Sequence, residues 1–273
     1  MNSTLRAGAI ITTFVLFTVP LMPVQAVLLR TNTKLARRFP HWYHRTICRL
    51  MGIKLSTAGA VKRDGPVLVI SNHVSWLDIL VLSAVAPVSF VAKKQVASWP
   101  FVSTLAKLQR TVFVDRERRV SVGDTAGEII GRLASGDTIV LFAEGTSSDG
   151  NRVLPFKTSL FAAAKPSAAN GAPDQGLVKA GRSQAPAAVV QTVSIAYTRR
   201  NGLPLGWAGR RGMAYIGDVA MGANAWNILC GGPLEASIRI DEPVPLAQFK
   251  DRKDLARRSE RAVRAGLVET LRG

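Results

Sequence analysis

The stretch VLVISNHVSWLDILVLSAVA, residues 67–86, carries two structural patterns in succession. Residues 67–70 form a short run of branched apolar side chains, as a buried strand requires. From residue 76 to 86 the apolar run is too long for a strand, and it begins just beyond Ser75, a residue type that favours helix starts. A strand that passes through a short polar loop into a helix is the repeating unit of α/β proteins. The loop holds Asn72 and His73, so His73 is expected at the carboxyl end of a strand, where open α/β sheets build their sites. Asp78 falls in the first helical turn, and two readings of it are open. In one, its carboxylate turns back to the imidazole, fixes the tautomer and raises the basicity of the second ring nitrogen, so that His73 can take a proton from a hydroxyl. In the other, Ser75 to Asp78 is the S-x-x-[DE] pattern of a helix start, and Asp78 only closes the turn.

The same rhythm continues outward. Residues 88–92, 111–114, 138–142, 188–197, 213–216 and 237–240 read as further strands, and 101–108 and 121–134 as helices. The strand at 111–114 runs into the charged group Asp115, Arg116, Arg118 and Arg119. The strand at 138–142 runs into AEGTSSDGNR, with Glu144, Gly145 and Thr146 just beyond it. If these strands are neighbours, a His/Asp pair, an arginine cluster and a small-residue loop converge on one edge. Arginine suits phosphate because its fork binds two oxygens at once, and Gly145 would let backbone N–H groups approach an anion closely. Read alone, the arginines are also an ordinary solvated charge run. Residues 165–186, rich in Pro, Gly, Ala and Ser, read as a surface loop. Residues 250–272 read as a basic helix with Leu255, Val263, Leu267 and Leu271 on its apolar side.

Composition narrows the partners. The 273 residues are 47% hydrophobic, which calls for a folded core. Thirty-six Lys and Arg against 18 Asp and Glu give a net charge of +18, which points to an anionic membrane or nucleic acid. Residues 7–29 contain no charge, and as a helix they would reach roughly 35 Å, enough to cross a hydrocarbon core. Arg30, Lys34, Arg37, Arg38, Arg45 and Arg49 follow directly, so the positive-inside bias places the remainder of the chain in the cytoplasm. The small-residue site PVQA fits a cleaved signal peptide, but the basic cluster just beyond it counts against export. Pro20 and Pro23 also allow a kinked or re-entrant hairpin. Nucleic acid is the weaker partner, because the basic residues are scattered and no nucleic-acid motif occurs. Cys48 and Cys230 make no CxxC, and His41 and His44 lie in the aromatic patch FPHWYHR, so no metal site is expected. G-x-S-x-G and G-x-x-x-x-G-K-[ST] are absent.

Taken in order, NHVSWLD, VFVDR, FAEGTSSDG and AVVQTVSIAY resemble the four blocks of the glycerolipid acyltransferases typified by 1-acyl-glycerol-3-phosphate acyltransferase. The likeness runs from about residue 65 to 200. It implies an α/β fold with a mixed sheet flanked by helices, glycerol-3-phosphate acyltransferase-like, behind an N-terminal membrane-anchoring helical segment. The expected organisation is an anchor and amphipathic linker over residues 1–62 and an acyltransferase domain over 63–273, held at the cell inner membrane on the cytoplasmic side. The resemblance implies catalysis by His73 and Asp78, with Arg116, Glu144, Gly145 and Thr146 binding the acceptor's head group. No metal or cofactor is implied. The implied partners are a lysolipid acceptor, an acyl-CoA or acyl-carrier-protein donor, and membrane lipids. 1-Acyl-glycerol-3-phosphate is the first acceptor this suggests.

The chain departs from the family pattern at three places. Ser147 stands where E-G-T-R has arginine, with Arg152 or Lys157 as substitutes; Arg110 or Thr111 stands where the second block has glycine; and Thr192 replaces a proline in the fourth. SIAYTRRNGLPLG and AYIGDVAMGANAW resemble a bacterial subset that includes lyso-ornithine-lipid acyltransferases, so that acceptor is the alternative. The lost arginine also leaves open a catalytically inert lipid-binding protein.

Overall fold

In the computed structural model the described residues are 3–31, 34–114, 119–161, 188–217 and 219–272. Arg116 and the loop expected at 165–186 lie outside them. The helices are α1 (Ser3–Thr31), α2 (Lys34–Met51), α3 (Leu77–Val85), α4 (Val102–Leu108), α5 (Arg119–Ala134), α6 (Trp207–Arg211), α7 (Met221–Cys230) and α8 (Arg252–Arg272). The strands are β1 (Ile53–Ala58), β2 (Val67–Ser71), β3 (Ser89–Lys93), β4 (Val112–Val114), β5 (Thr138–Phe142), β6 (Val189–Arg200), β7 (Leu203–Pro204), β8 (Leu234–Ile240) and β9 (Val244–Pro245). They form one mixed sheet in the order β1-β8-β6-β2-β5-β3-β4, with β7 and β9 pairing β6. β2 runs parallel to both β5 and β6, while β6 and β8 are antiparallel.

Every residue of β2 is buried, because the sheet is covered on both faces. Alternate strand residues divide between two cores. Val67, Val69, Val140, Phe142 and Tyr197 meet α2, α3 and α7 on one side. Leu68, Ile70, Ile139 and Leu141 meet α5 and α8 on the other.

One sequence expectation needs correcting. Residues 213–216 are not a strand: Met213 and Ala214 are buried, but Tyr215 N–H goes to Val74 O and no ladder forms. A short apolar run read as a strand is here a turn pressed onto the loop that carries His73. Contacts also cross the boundary expected at residue 62. α2 packs on α3, and β1 pairs along its length with β8 at the sheet edge. Within the stretch expected as a linker, residues 53–58 thus form an edge strand of the sheet. Only one residue of β1 is buried, which explains why it carried no strand signal.

α1 is one helix through both Pro20 and Pro23, and it is the one described helix long and apolar enough to cross a membrane. It is also bonded to the rest of the chain along its length. Arg6 donates to Met51 O and Leu229 O, the Thr18 and Tyr43 hydroxyls are 2.7 Å apart, and Gln25 donates to Ala36 O and Leu108 O.

Asp137, buried at the head of β5, receives Arg110 through both carboxylate oxygens and also faces Arg132 and Arg37. Arg110 holds φ at 63°, the left-handed region that favours glycine, which accounts for the glycine that the family pattern places here. The carboxylate thus ties α2, the turn between α4 and β4, and α5 together. Asp137→Ala would leave three guanidiniums facing one another without their anion. We expect a loss of about 3–5 kcal/mol in denaturant unfolding of the detergent-solubilised protein, and an unchanged midpoint would refute this.

Candidate active site

β2 and β5 end in register, Ser71 opposite Phe142, so the residues two places further on, His73 and Glu144, leave the sheet side by side. β6, on the other flank of β2, runs on past the same level. Its Ile195 exchanges two hydrogen bonds with the Asn72 side chain, at 2.9 and 2.8 Å. The loop that carries His73 is therefore clamped from both neighbouring strands.

His73 Nδ1 lies 2.8 Å from Asp78 Oδ2. A carboxylate can only accept, so Nδ1 carries the proton and Nε2 is left as the basic nitrogen. The ring stacks on Phe142 at 4.1 Å between centroids, and its side chain is 21% exposed while that of Asp78 is fully buried. Asp78 Oδ2 also accepts the Val74 and Ser75 N–H groups at 2.6 and 2.9 Å. Asp78 thus bonds the helix start and the histidine at once. The turn is only half a capping box, because among the described residues the buried Ser75 Oγ has no partner.

The remaining oxygen, Asp78 Oδ1, accepts the Tyr197 hydroxyl at 2.7 Å. Burial, and next the charge of Asp78, hold that phenol well above its ordinary range, so it stays a donor. Asn72 and Tyr197 were missed in the sequence. The signals were an amide beside the histidine and a tyrosine in a buried strand, but their partners are more than a hundred residues away.

Glu144 is 1% exposed, and its two oxygens accept the N–H groups of His73 and Leu154, both at 2.8 Å. It braces the loop that carries His73 against the segment after β5. Gly145 takes φ 72°, where a side chain would be strained, and its N–H goes to Phe142 O. Thr146 is exposed at the rim, and Ser147 is half-buried beside it. Ser148 N–H donates to His73 O at 2.7 Å. His41 and His44 are absorbed by Ser83, the first by its carbonyl and the second by its hydroxyl.

Burial pushes the Glu144 carboxyl up to about 7, against the pull of its two N–H donors and with a further push from Asp78. A carboxyl that binds its proton more readily when folded contributes stability that is complete below about pH 4.5 and is lost as pH rises through about 7. The loss amounts to at most about 3 kcal/mol. Glu144→Gln cannot titrate, so the stability of wild type relative to this variant is expected to fall between pH 5 and 8. Parallel pH curves for the two proteins would count against it.

The site is a carboxylate-oriented imidazole, open on one side, at the carboxyl edge of a mixed sheet. It is arranged to take a proton from a hydroxyl. A family model described as Acyltransferase matches residues 52–178. The chain is 42% identical to the lyso-ornithine lipid O-acyltransferase of Brucella abortus over 273 residues, covering 100% of this chain and 98% of that protein. It is 30% identical to the 1-acyl-sn-glycerol-3-phosphate acyltransferase of Neisseria gonorrhoeae over 210 residues, covering 77% and 72%. The crystal structure of the 1-acyl-sn-glycerophosphate acyltransferase PlsC from Thermotoga maritima shares the fold, with a TM-score of 0.66 at 22% identity over 98% of this chain and 94% of that one. Identity of 42% along the whole chain with one such enzyme and of 30% with another means that this protein belongs to the glycerolipid acyltransferase family typified by 1-acyl-glycerol-3-phosphate acyltransferase and acts on lysolipids.

Proposed function

We propose that the protein transfers a fatty acyl group from a thioester donor to the free hydroxyl of a lysolipid with an amino-acid head group, such as lyso-ornithine lipid. The observation that carries the chemistry is the 2.8 Å contact between His73 Nδ1 and Asp78 Oδ2 beneath a partly exposed ring. Nε2 takes the hydroxyl proton as the oxygen attacks the thioester carbonyl. The tetrahedral adduct then collapses, the C–S bond breaks, and the proton held by His73 goes to the departing thiolate. No acyl-enzyme forms. Holding two reactants in line contributes more of the rate than basicity does. The donor is acyl-CoA or an acyl-carrier protein.

Two features support the amino-acid head group over a glycerol phosphate. Ser147 removes the arginine that would grip phosphate beside the exposed Thr146. The similarity that spans the whole chain is to an enzyme named for lyso-ornithine lipid. 1-Acyl-glycerol-3-phosphate is the second reading, favoured by the Neisseria relative, with Arg116 holding the phosphate.

α1 anchors the protein to the cytoplasmic face of the inner membrane. Its bonds at Arg6, Thr18 and Gln25 favour a helix lying along the domain within one leaflet over one that crosses away from it. Both lysolipids should be supplied together with labelled acyl donor to membranes that hold the protein. At least tenfold preference for lyso-ornithine lipid in kcat/KM is expected, and preference for lysophosphatidic acid would replace this reading with the second.

A further inference from the structure

Among the described residues, sixteen large apolar side chains are exposed, and their distribution is lopsided. Seven lie on α1, and five more are Leu203, Trp207, Ile216, Val219 and Trp226. α8, on the opposite face of the sheet, exposes only Val268. Exposure on this scale in one short stretch marks an interaction surface.

Residues 203–217 and 219–226 are held against two other parts of the molecule. On one side α7 packs along α1, and the Arg6 guanidinium donates to Leu229 O near the end of α7. The patch is therefore continuous with the apolar face of the candidate membrane helix. On the other side the segment is bonded to the active-site loops. Tyr215 N–H donates to Val74 O, the Trp76 indole donates to Asn224 Oδ1, and Arg210 Nε donates to Asn151 Oδ1 at 2.7 Å. Whatever covers the patch thus sits beside His73.

The chemistry of the patch identifies its occupant. Trp207 is 56% exposed, and the Arg211 guanidinium lies over its ring at 5.5 Å. Exposed tryptophan paired with arginine suits the lipid–water boundary, where the ring enters the headgroup layer and the guanidinium meets phosphate. Arg199, exposed beside the turn of the same hairpin, adds positive charge, in a chain of net charge +18. An anionic lipid surface complements that charge.

We propose that this segment is a second membrane-contact site, seated on the anionic lipid–water interface beside α1, which holds the His73 opening against the layer that supplies the acceptor. Only its consequence for acceptor capture rests on the acyltransfer reading; the contact itself does not.

The test uses the full chain in vesicles of phosphatidylethanolamine and brominated phosphatidylglycerol. In wild type, Trp207 and Trp226 are expected to be quenched by bromine. The variant with Trp207→Phe and Trp226→Phe, which keeps the apolar contact, is expected to lose at least a third of the quenchable fluorescence. Equal quenchable fluorescence in the two proteins would place these tryptophans in water and overturn the proposal. This arm needs no substrate, so it stands or falls apart from the proposed reaction. In a second arm, Trp207→Asp with Arg211→Glu should raise KM for vesicle-borne lysolipid five- to tenfold, with turnover of a short-chain lysolipid in solution unchanged. Equal losses on both acceptors would overturn it. So would a wild-type dimer in detergent that Trp207→Asp with Arg211→Glu converts to monomer, without any bromine quenching, which would assign the patch to a second copy of the chain.

Discussion

Replacing His73 with alanine is expected to lower kcat for acyl transfer about a thousandfold, with the protein still folded and accumulating in membranes. General-base catalysis at a hydroxyl is worth about 10²–10⁴-fold, and no other described side chain is placed to take over. The loss should fall on the chemical step. The ring donates to Asp78 and stacks on Phe142, but no helix or strand depends on it, because Asp78 keeps its bonds to the Val74 and Ser75 N–H groups. KM for the lysolipid should therefore change little. The measurement is release of free thiol from the acyl donor in the presence of lysolipid. Wild-type turnover would remove the reading of an inert lipid-binding protein, and undiminished turnover in the variant would remove His73 from the reaction.

The parts of this site that were legible in the sequence are those in which cause and effect lie close together in the chain. Strand β2, the turn at Ser75 and the first turn of α3 lie within fifteen residues, so local pattern alone placed Asp78 near His73. The neighbouring strand ends were also legible, because β5 carries its own apolar run into a glycine turn. What local pattern does not encode is which strands adjoin. For Glu144 the family resemblance implied a place at the head group, and local pattern said nothing of its partners. Only the register of β2 against β5 turns its carboxylate onto the His73 N–H. Arg110 read as a departure from a glycine pattern. In the fold it adopts the glycine's backbone angle and spends its guanidinium on Asp137. Tyr197 offered only the signal of a tyrosine in a buried strand until β6 brought it to Asp78.

That last contact leads to the second large effect. Asp78→Asn is expected to lower kcat about a hundredfold or more while preserving the fold. The amide oxygen can take the place of Oδ2, where the His73 Nδ1–H and the Val74 and Ser75 N–H groups converge. The amide nitrogen then faces the Tyr197 hydroxyl, which can turn to accept. The bonds survive and the negative charge does not, so the imidazolium formed during proton transfer loses its counter-ion. Tyr197→Phe should cost less, about tenfold, because it leaves Asp78 charged but strips Oδ1 of its donor, and a buried oxygen left without a partner shifts to find one. If Tyr197 acts only through Asp78, its effect depends on that carboxylate. Adding Tyr197→Phe to Asp78→Asn should then lower kcat no further than Asp78→Asn alone. Fully multiplied losses in the double variant would instead give the tyrosine a role of its own.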